Sequence, residues 1–397
     1  MHREAYYNLR KAEKMAIEYD QFSLLEVIYD EMVTLATHHE VDIEEVIARR
    51  RENLKKIEIL RATREVLGLV TQQLSKRNFA RSKRSESVID TLEQIREGLE
   101  EHRDIFRSTS GQIMIIQTVA SILIQKAAYR ELEAFARETL ADMEAQQRFH
   151  RDNHPTRLKL RIWRINSLQK LLRPEQAQEE IEALYADLQK YRRQYFGEFA
   201  FNYYAARTYN LKLLGDLSGA GKALEEALAC KDILRHEVQE LYLRISLADQ
   251  YFSQEQYSEA AATLRQIRNQ HGFEVLDEEL RFYAHIFEAV NLHEAGAYAQ
   301  AETAFKTLRR KYRALLKDEF YAKARRFLDI LMRLNKAARE GRKVFLKSAH
   351  RNFVRDFPPS EIGDNQIIMY EVYLQAKLDE EVRYYDLLQE LVHARAQ

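Results

Sequence analysis

Three stretches of this chain repeat one arrangement of small and large residues. The clearest copy reads Ala248-x2-Tyr251-x5-Tyr257-x2-Ala260-x3-Leu264-x2-Ile267. Ala289, Leu292, Gly296, Tyr298, Ala301, Phe305 and Leu308 repeat it, and Thr208, Leu211, Gly215, Leu217, Ala220, Leu224 and Ala227 repeat it more loosely. The turn positions Leu217, Tyr257 and Tyr298 stand 40 and 41 residues apart. Small side chains let two helices approach closely while the larger ones fill the seam between them. A fixed period of this length marks supersecondary units that bury their faces on their neighbours. The rest of the chain offers few places to break a helix, with 11 Gly and 4 Pro in 397 residues. An all-α protein of helices joined by short turns is expected. Hydrophobic residues, 46% of the total, suffice for a packed core and exclude a disordered chain.

Between Asn202 and Arg310 this pattern resembles the tetratricopeptide repeat, whose first helix carries Gly or Ala and Tyr, and whose second carries Ala, Phe and Ala, at these offsets. Two departures stand out. The family period is about 34 residues, so these units carry longer helices or loops, and the proline that ends the standard repeat is missing. The resemblance implies a right-handed superhelical stack of antiparallel helix pairs, an α-solenoid whose first helices line a concave groove. Carried onto this sequence, the groove positions are Asn202, Tyr209 and Lys212, then Tyr242, Asp249 and Phe252, then Tyr283 and His293. The set does not match the Lys/Asn clamp with which some members hold acidic C-termini.

Weaker echoes extend outward. Phe22, Leu25, Tyr29 and Met32 fit a turn and helix, as do Tyr129, Leu132, Ala136 and Thr139, and Pro174, Ala177, Ile181 and Leu184. Pro174 suits a first helical turn. Asp42 with Glu45 reads as a capping box opening a helix to about residue 76, before a basic break over 76–85 and helices near 86–106 and 112–126. Phe357-Pro358-Pro359-Ser360 must end a helix. Two final helices, near 365–377 and 379–394, are expected to cap the stack. The expected organisation is an irregular helical region over 1–150, a repeat array over 151–357 and capping helices over 358–397, forming one continuous solenoid.

Lys+Arg and Asp+Glu both total 62, so no global field draws the chain to nucleic acid or membrane. No segment has the length and apolarity of a membrane span. The first residues lack a signal-peptide core, which points to the cytoplasm. The helical pattern begins almost at Met1, leaving room for a domain upstream. Cys230 is the one cysteine and reads as a small core residue, without a disulfide. No phosphate-binding loop, dinucleotide fingerprint, nucleophile elbow or H-E-x-x-H motif occurs, and neither metal nor cofactor is expected. Adjacent His38 and His39 point about 100° apart on a helix and make a poor chelate. The pairs Glu179-Glu180, Glu225-Glu226 and Glu278-Glu279 read as solvated helix faces.

Two features rise above this background. Residues 306–356 hold 17 Lys/Arg against five Asp/Glu. Arg309, Arg310, Arg313, Lys323 and Arg326 would form a basic patch if they shared a face, although pairing with acidic neighbours is the plainer reading. The second is aromatic density over 191–209, too great for one buried stripe. The leading expectation is a non-catalytic scaffold that binds a peptide or another protein in its groove. A regulatory sensor of a short peptide, and nucleic-acid binding through 306–355, stand as alternatives. Self-association into a homodimer is compatible with the aromatic faces.

Overall fold

The computed structural model describes residues 2–19, 21–35, 42–77, 93, 97, 109–342, 346–358, 367–378 and 382–396. Among them there are helices and turns but no strand. No described helix is long and apolar enough to cross a membrane. One compact unit is drawn from residues 1–76 and 83–126, the other from 77–82 and 127–397. The division thus falls near residue 126, whereas the sequence suggested 150. The helix Tyr129–Ala145 packs along its successor His154–Lys170 and so belongs to the second unit.

The first unit contains α1 (His2–Glu18), α2 (Phe22–Leu35), α3 (Ile43–Arg77) and α4 (Thr109–Gln125). Asp42 Oδ1 accepts from the Glu45 amide at 3.1 Å, so α3 opens as its cap predicts. Ala16, Leu25, Ile28, Tyr29, Met32 and Val46 form a small core. Around it, buried Glu13 accepts from Arg10 and from Arg49 of α3 at 2.8 and 2.9 Å. Apart from residues 93 and 97, the expected helix near 86–106 lies outside the described residues, as do most of the break before it and His38-His39.

The second unit is helical and repeat-like. After α5 (Tyr129–Ala145) come α6 (His154–Lys170) and α7 (Pro174–Arg193), then α8 (Phe196–Leu213) and α9 (Leu217–Ala229). A single turn, α10 (Lys231–Leu234), leads to α11 (Glu237–Ser253) and α12 (Tyr257–Arg268), and then to α13 (Glu278–Glu294) and α14 (Tyr298–Lys311). Leu217, Tyr257 and Tyr298 each begin the second helix of a pair, where the sequence placed the turn.

One turn design closes these pairs. Only residues 171–173, 214–216, 254–256 and 295–297 join the partners, and each middle residue has positive φ: Leu172 55°, Gly215 87°, Glu255 61° and Gly296 72°. The next amide reaches back five residues, from Arg173 to the Leu168 carbonyl, Asp216 to Leu211, Gln256 to Tyr251 and Ala297 to Leu292, each at 2.9 Å. This Schellman closure satisfies carbonyls that a helix end would otherwise leave open. The residues that lengthen the period lie between pairs: 230–236 with α10, and 269–277 with the 3-10 turn His271–Val275.

Packing follows the small–large pattern. Ala220, Ala248, Ala260, Ala289 and Ala301 are fully buried, and Phe287 and Phe305 fill the seams beside them. Polar side chains also tie each pair to the one before. Asn210 Nδ2 donates to the Pro174 carbonyl at 2.9 Å, Gln250 Nε2 to Leu217 at 2.7 Å, and Asn335 Nδ2 to Tyr298 at 2.9 Å.

Next come α15 (Ala322–Arg339), α16 (Leu346–Asp356), α17 (Tyr370–Ala376) and α18 (Tyr384–Ala396). Helix α16 stops just before Phe357-Pro358. The last two helices do not extend the series as caps. Tyr370 stacks on Phe327 of α15 with centroids 3.9 Å apart. Lys377 reaches Glu294 of α13 at 2.6 Å. The Tyr385 hydroxyl and Gln389 amide both donate to the Lys212 carbonyl of α8, at 2.8 and 2.9 Å. Val392 is buried against Leu172 and Leu213. The chain thus folds back over the first helices of its own pairs, because α18 offers aromatic and apolar residues that those helix ends can bury.

Candidate binding cavity

Helices α8, α11 and α13 turn one face towards a cavity of about 370 Å³, walled on another side by Ile367, Met369, Tyr384 and Leu388. Of the eight groove residues expected from sequence, Tyr209, Lys212, Tyr242, Asp249 and Tyr283 line it. Their spacing explains part of the convergence, since Tyr209 and Asp249 stand 40 residues apart and Tyr242 and Tyr283 stand 41 apart, which places each pair at equivalent helical positions one period on.

The other three lie elsewhere. Phe252 is 3% exposed and packs against Tyr257, Phe287 and Tyr384 with centroids 5.5, 5.2 and 5.3 Å away, so it is core. His293 Nδ1 is 3.1 Å from Asn335 Oδ1 and its ring lies against Tyr298. Burial lowers its pKa, which suits a neutral ring bound within the fold. Asn202 is half-buried on α8 and does not line the cavity.

The cavity is polar at particular points. Lys212 Nζ meets Asp249 Oδ2 at 2.6 Å, with the two side chains 7% and 17% exposed. The other Asp249 oxygen is buried without a hydrogen-bond partner. Tyr209 keeps 39% of its surface accessible although protein atoms crowd it, as a ring on a cavity wall does. Burial, helped by Asp249, pushes its hydroxyl up to about 12. Tyr242 is also pushed up to about 12, by burial and then by Asp277 and Glu279. The Tyr242 ring rests edge-on against Phe201, centroids 6.0 Å apart.

Asp277 and Glu279, which the groove positions omit, complete the wall. Asp277 caps α13, its Oδ1 accepting from the Leu280 amide at 2.8 Å. Glu279 is 5% exposed. Burial raises its pKa, a hydrogen bond from Tyr283 lowers it, Asp277 raises it again, and the result is about 7. Its Oε2 has no hydrogen-bond partner. The Glu-Glu pairs were expected on solvated faces, and this holds for only one member of two of them. Glu278 and Glu179 are exposed, whereas Glu279 and Glu180 are buried. Neighbouring residues on a helix point about 100° apart, so a doublet at a seam sends one carboxylate inward.

Glu180 is explained by a separate network. Arg161 donates to Glu180 at 2.8 Å and to Asp187 at 2.5 Å, Arg157 to Asp187 at 2.8 Å, and Arg164 to both Glu180 and Glu133. Burial alone would raise the Asp187 pKa, but bonds from Lys190, Arg157 and Arg161 outweigh it and hold the carboxyl at about 2. These ions lock α5, α6 and α7 together.

The remaining candidates are dispersed. Arg309 pairs with Asp329, and Lys323 with Glu371 at 3.1 Å. Arg310 and Arg313 are exposed, and Arg326 is half-buried beside Asp329 and Leu346. The basic residues thus face different neighbours. The aromatic run divides similarly: Phe196, Phe199 and Tyr203 are core, Tyr191 lies edge-on to His154 at 4.9 Å, and Tyr209 alone of the run lines the cavity. Cys230 packs partly buried against the core of α6 to α9. Among the described residues no three His, Cys, Asp or Glu side chains are grouped to hold a metal ion.

No family model matches the chain, and no curated protein matches it at a significant level.

Proposed function

We propose that this chain is a non-catalytic binding protein, a tetratricopeptide-like array that takes a peptide or a segment of a partner protein on the first helices of its pairs. One observation carries the reading: residues from three successive pairs, Tyr209 and Lys212, Tyr242 and Asp249, and Tyr283, share one cavity of about 370 Å³. Its walls combine tyrosine rings and aliphatic side chains with a few fixed polar groups, the usual make-up of a ligand site. The wall is held in advance by the Lys212–Asp249 pair and by Phe201 under Tyr242. Binding therefore avoids much of the ordering cost that a flexible surface would incur. The superhelical arrangement of the pairs belongs to the same proposal.

Selection of a phage-displayed 12-residue peptide library on the full chain tests it. Related sequences should be enriched, and Tyr242→Ala should weaken the selected peptides about tenfold or more, as expected for an aromatic anchor in a pocket. Failure to enrich any peptide family, or equal binding by the Tyr242→Ala variant, would count against the groove.

A further inference from the structure

The geometry points to an ammonium or guanidinium group as the part of the ligand that this cavity anchors, seated among Tyr242, Tyr283, Asp277 and Glu279. The inference rests on the reading of the cavity as a peptide site and names the chemistry it selects. Its starting point is a local imbalance of charge at Glu279, since Lys170 and Lys212 both line the cavity but neither is among the groups acting on that carboxylate. Lys212 is already engaged by Asp249 at 2.6 Å. Asp277 and Glu279 face the same space, and the groups acting on Glu279 are the Tyr283 hydroxyl and the Asp277 carboxylate, with no Lys or Arg among them.

Such a carboxylate is unusual inside a protein. An ionised group taken out of water is costly unless a counter-charge or several hydrogen bonds replace the lost hydration. Glu279 is 5% exposed, and its Oε2 accepts nothing. The paired acids elsewhere in this unit show the ordinary solution, Asp187 meeting Arg157, Arg161 and Lys190. At Glu279 no described Lys or Arg takes the position of the counter-ion, which leaves room for a cationic ligand.

The aromatic residues narrow the choice. Tyr242 and Tyr283 line the cavity beside the two acids, and the face of an aromatic ring attracts an ammonium or guanidinium group, most strongly where water is excluded. A metal ion fits less well, because no three acidic, His or Cys side chains among the described residues are grouped to ligate one. Organic cations need only two carboxylate oxygens and a ring face. The raised pKa of Glu279, about 7, agrees: with the cavity empty the carboxyl shares its site with a proton, and a bound cation would replace that proton.

Binding of blocked hexapeptide libraries to the full chain tests the inference. The libraries are acetylated and amidated, lack Lys, Arg and His at random positions, and carry Lys, Arg, citrulline or norleucine at one fixed position. A fifth library has a free N-terminal amine as its single cation, and spermidine serves as a free polyamine. Glu279→Gln and Asp277→Asn are measured in parallel. Both remove charge while keeping shape, and Asn remains a good helix cap. The expected result is binding at least about tenfold tighter for Lys or Arg than for citrulline or norleucine, with the preference lost in Glu279→Gln and reduced in Asp277→Asn. Preference for the free-amine library instead would assign the site to a peptide N-terminus, with the same dependence on Glu279. Peptides that bind without regard to charge would overturn the cation and leave the peptide groove standing. Spermidine binding that depends on Glu279, with no peptide bound, would uphold the cation and overturn the peptide reading. No binding by any of these probes would overturn both.

Discussion

Glu279 should make the protein's stability fall as the pH rises through neutrality, and Glu279→Gln should remove that fall. In the folded chain its pKa is raised from an ordinary 4.5 to about 7. The folded state therefore holds a proton that the unfolded state has already released between those values. Stability is unaffected by this group below about pH 4, declines across the window, and reaches its full deficit above pH 7. A difference of about 2.5 units at 1.36 kcal/mol each makes the deficit roughly 3 kcal/mol. The α13 N-terminus favours the charged form by about 0.3–1 kcal/mol, too little to offset burial. No cation among its described neighbours opposes the shift, since Asp277 adds repulsion and Tyr283 supplies the one hydrogen bond. Thermal melts of wild type and Glu279→Gln at pH 5 and pH 8 would measure it. The Gln variant should gain relative to wild type by roughly 2.5 kcal/mol between the two, since part of the deficit is already present at pH 5, or about 5 °C for a unit of this size. Effects of the substitution on packing do not depend on pH and cancel in that comparison. An equal difference in melting temperature at both pH values would refute the reasoning and place Glu279 in contact with solvent.

Three further expectations concern the scaffold. Gly296 has φ of 72° with nothing near the position of an added Cβ, so Gly296→Ala should cost about 1 kcal/mol from backbone strain alone, whereas Glu255→Gly, at exposed Glu255 with φ of 61°, should stabilise by a similar amount in urea titrations. Phe252→Ala should cost roughly 3–5 kcal/mol, because the ring joins α11 to α12, α13 and α18; a loss under 1 kcal/mol would contradict its placement in the core. Lys212→Met should destabilise by about 3–5 kcal/mol by leaving Asp249 buried alone, and adding Asp249→Leu should restore much of that loss, which a double-mutant cycle would measure as strong coupling.

How far the molecule could be read in advance depended on whether the signal was local. Leu217, Tyr257 and Tyr298 start helices because each follows a three-residue turn, and Gly215 and Gly296 mark two of those turns openly. Leu172 and Glu255 serve the same role without a glycine, so two equivalent turns carried no conventional signal. The amide ties of Asn210 and Gln250 stand one period apart and that of Asn335 about two periods further on, so they could have been found by looking for polar residues, not only for small and large ones. Five of the eight groove residues do line the cavity, since a helix position fixes which way a side chain points relative to its own pair. Phe252 and His293 failed the same test because α18 and Asn335 of α15 cover them, and nothing near them in sequence records either neighbour.

An all-helical chain, and the starts of helices at Leu217, Tyr257 and Tyr298, were legible in residue order, because they follow from spacing, turn chemistry and the scarcity of breakers. Tertiary structure alone decided where the last two helices go and which acid loses its water. Tyr385 and Gln389 meet the Lys212 carbonyl across more than 170 residues, and Glu279 differs from exposed Glu278 only by the direction in which α13 turns it. Burial and charge at such a point depend on every element that surrounds it, so they become readable only once those elements are assembled.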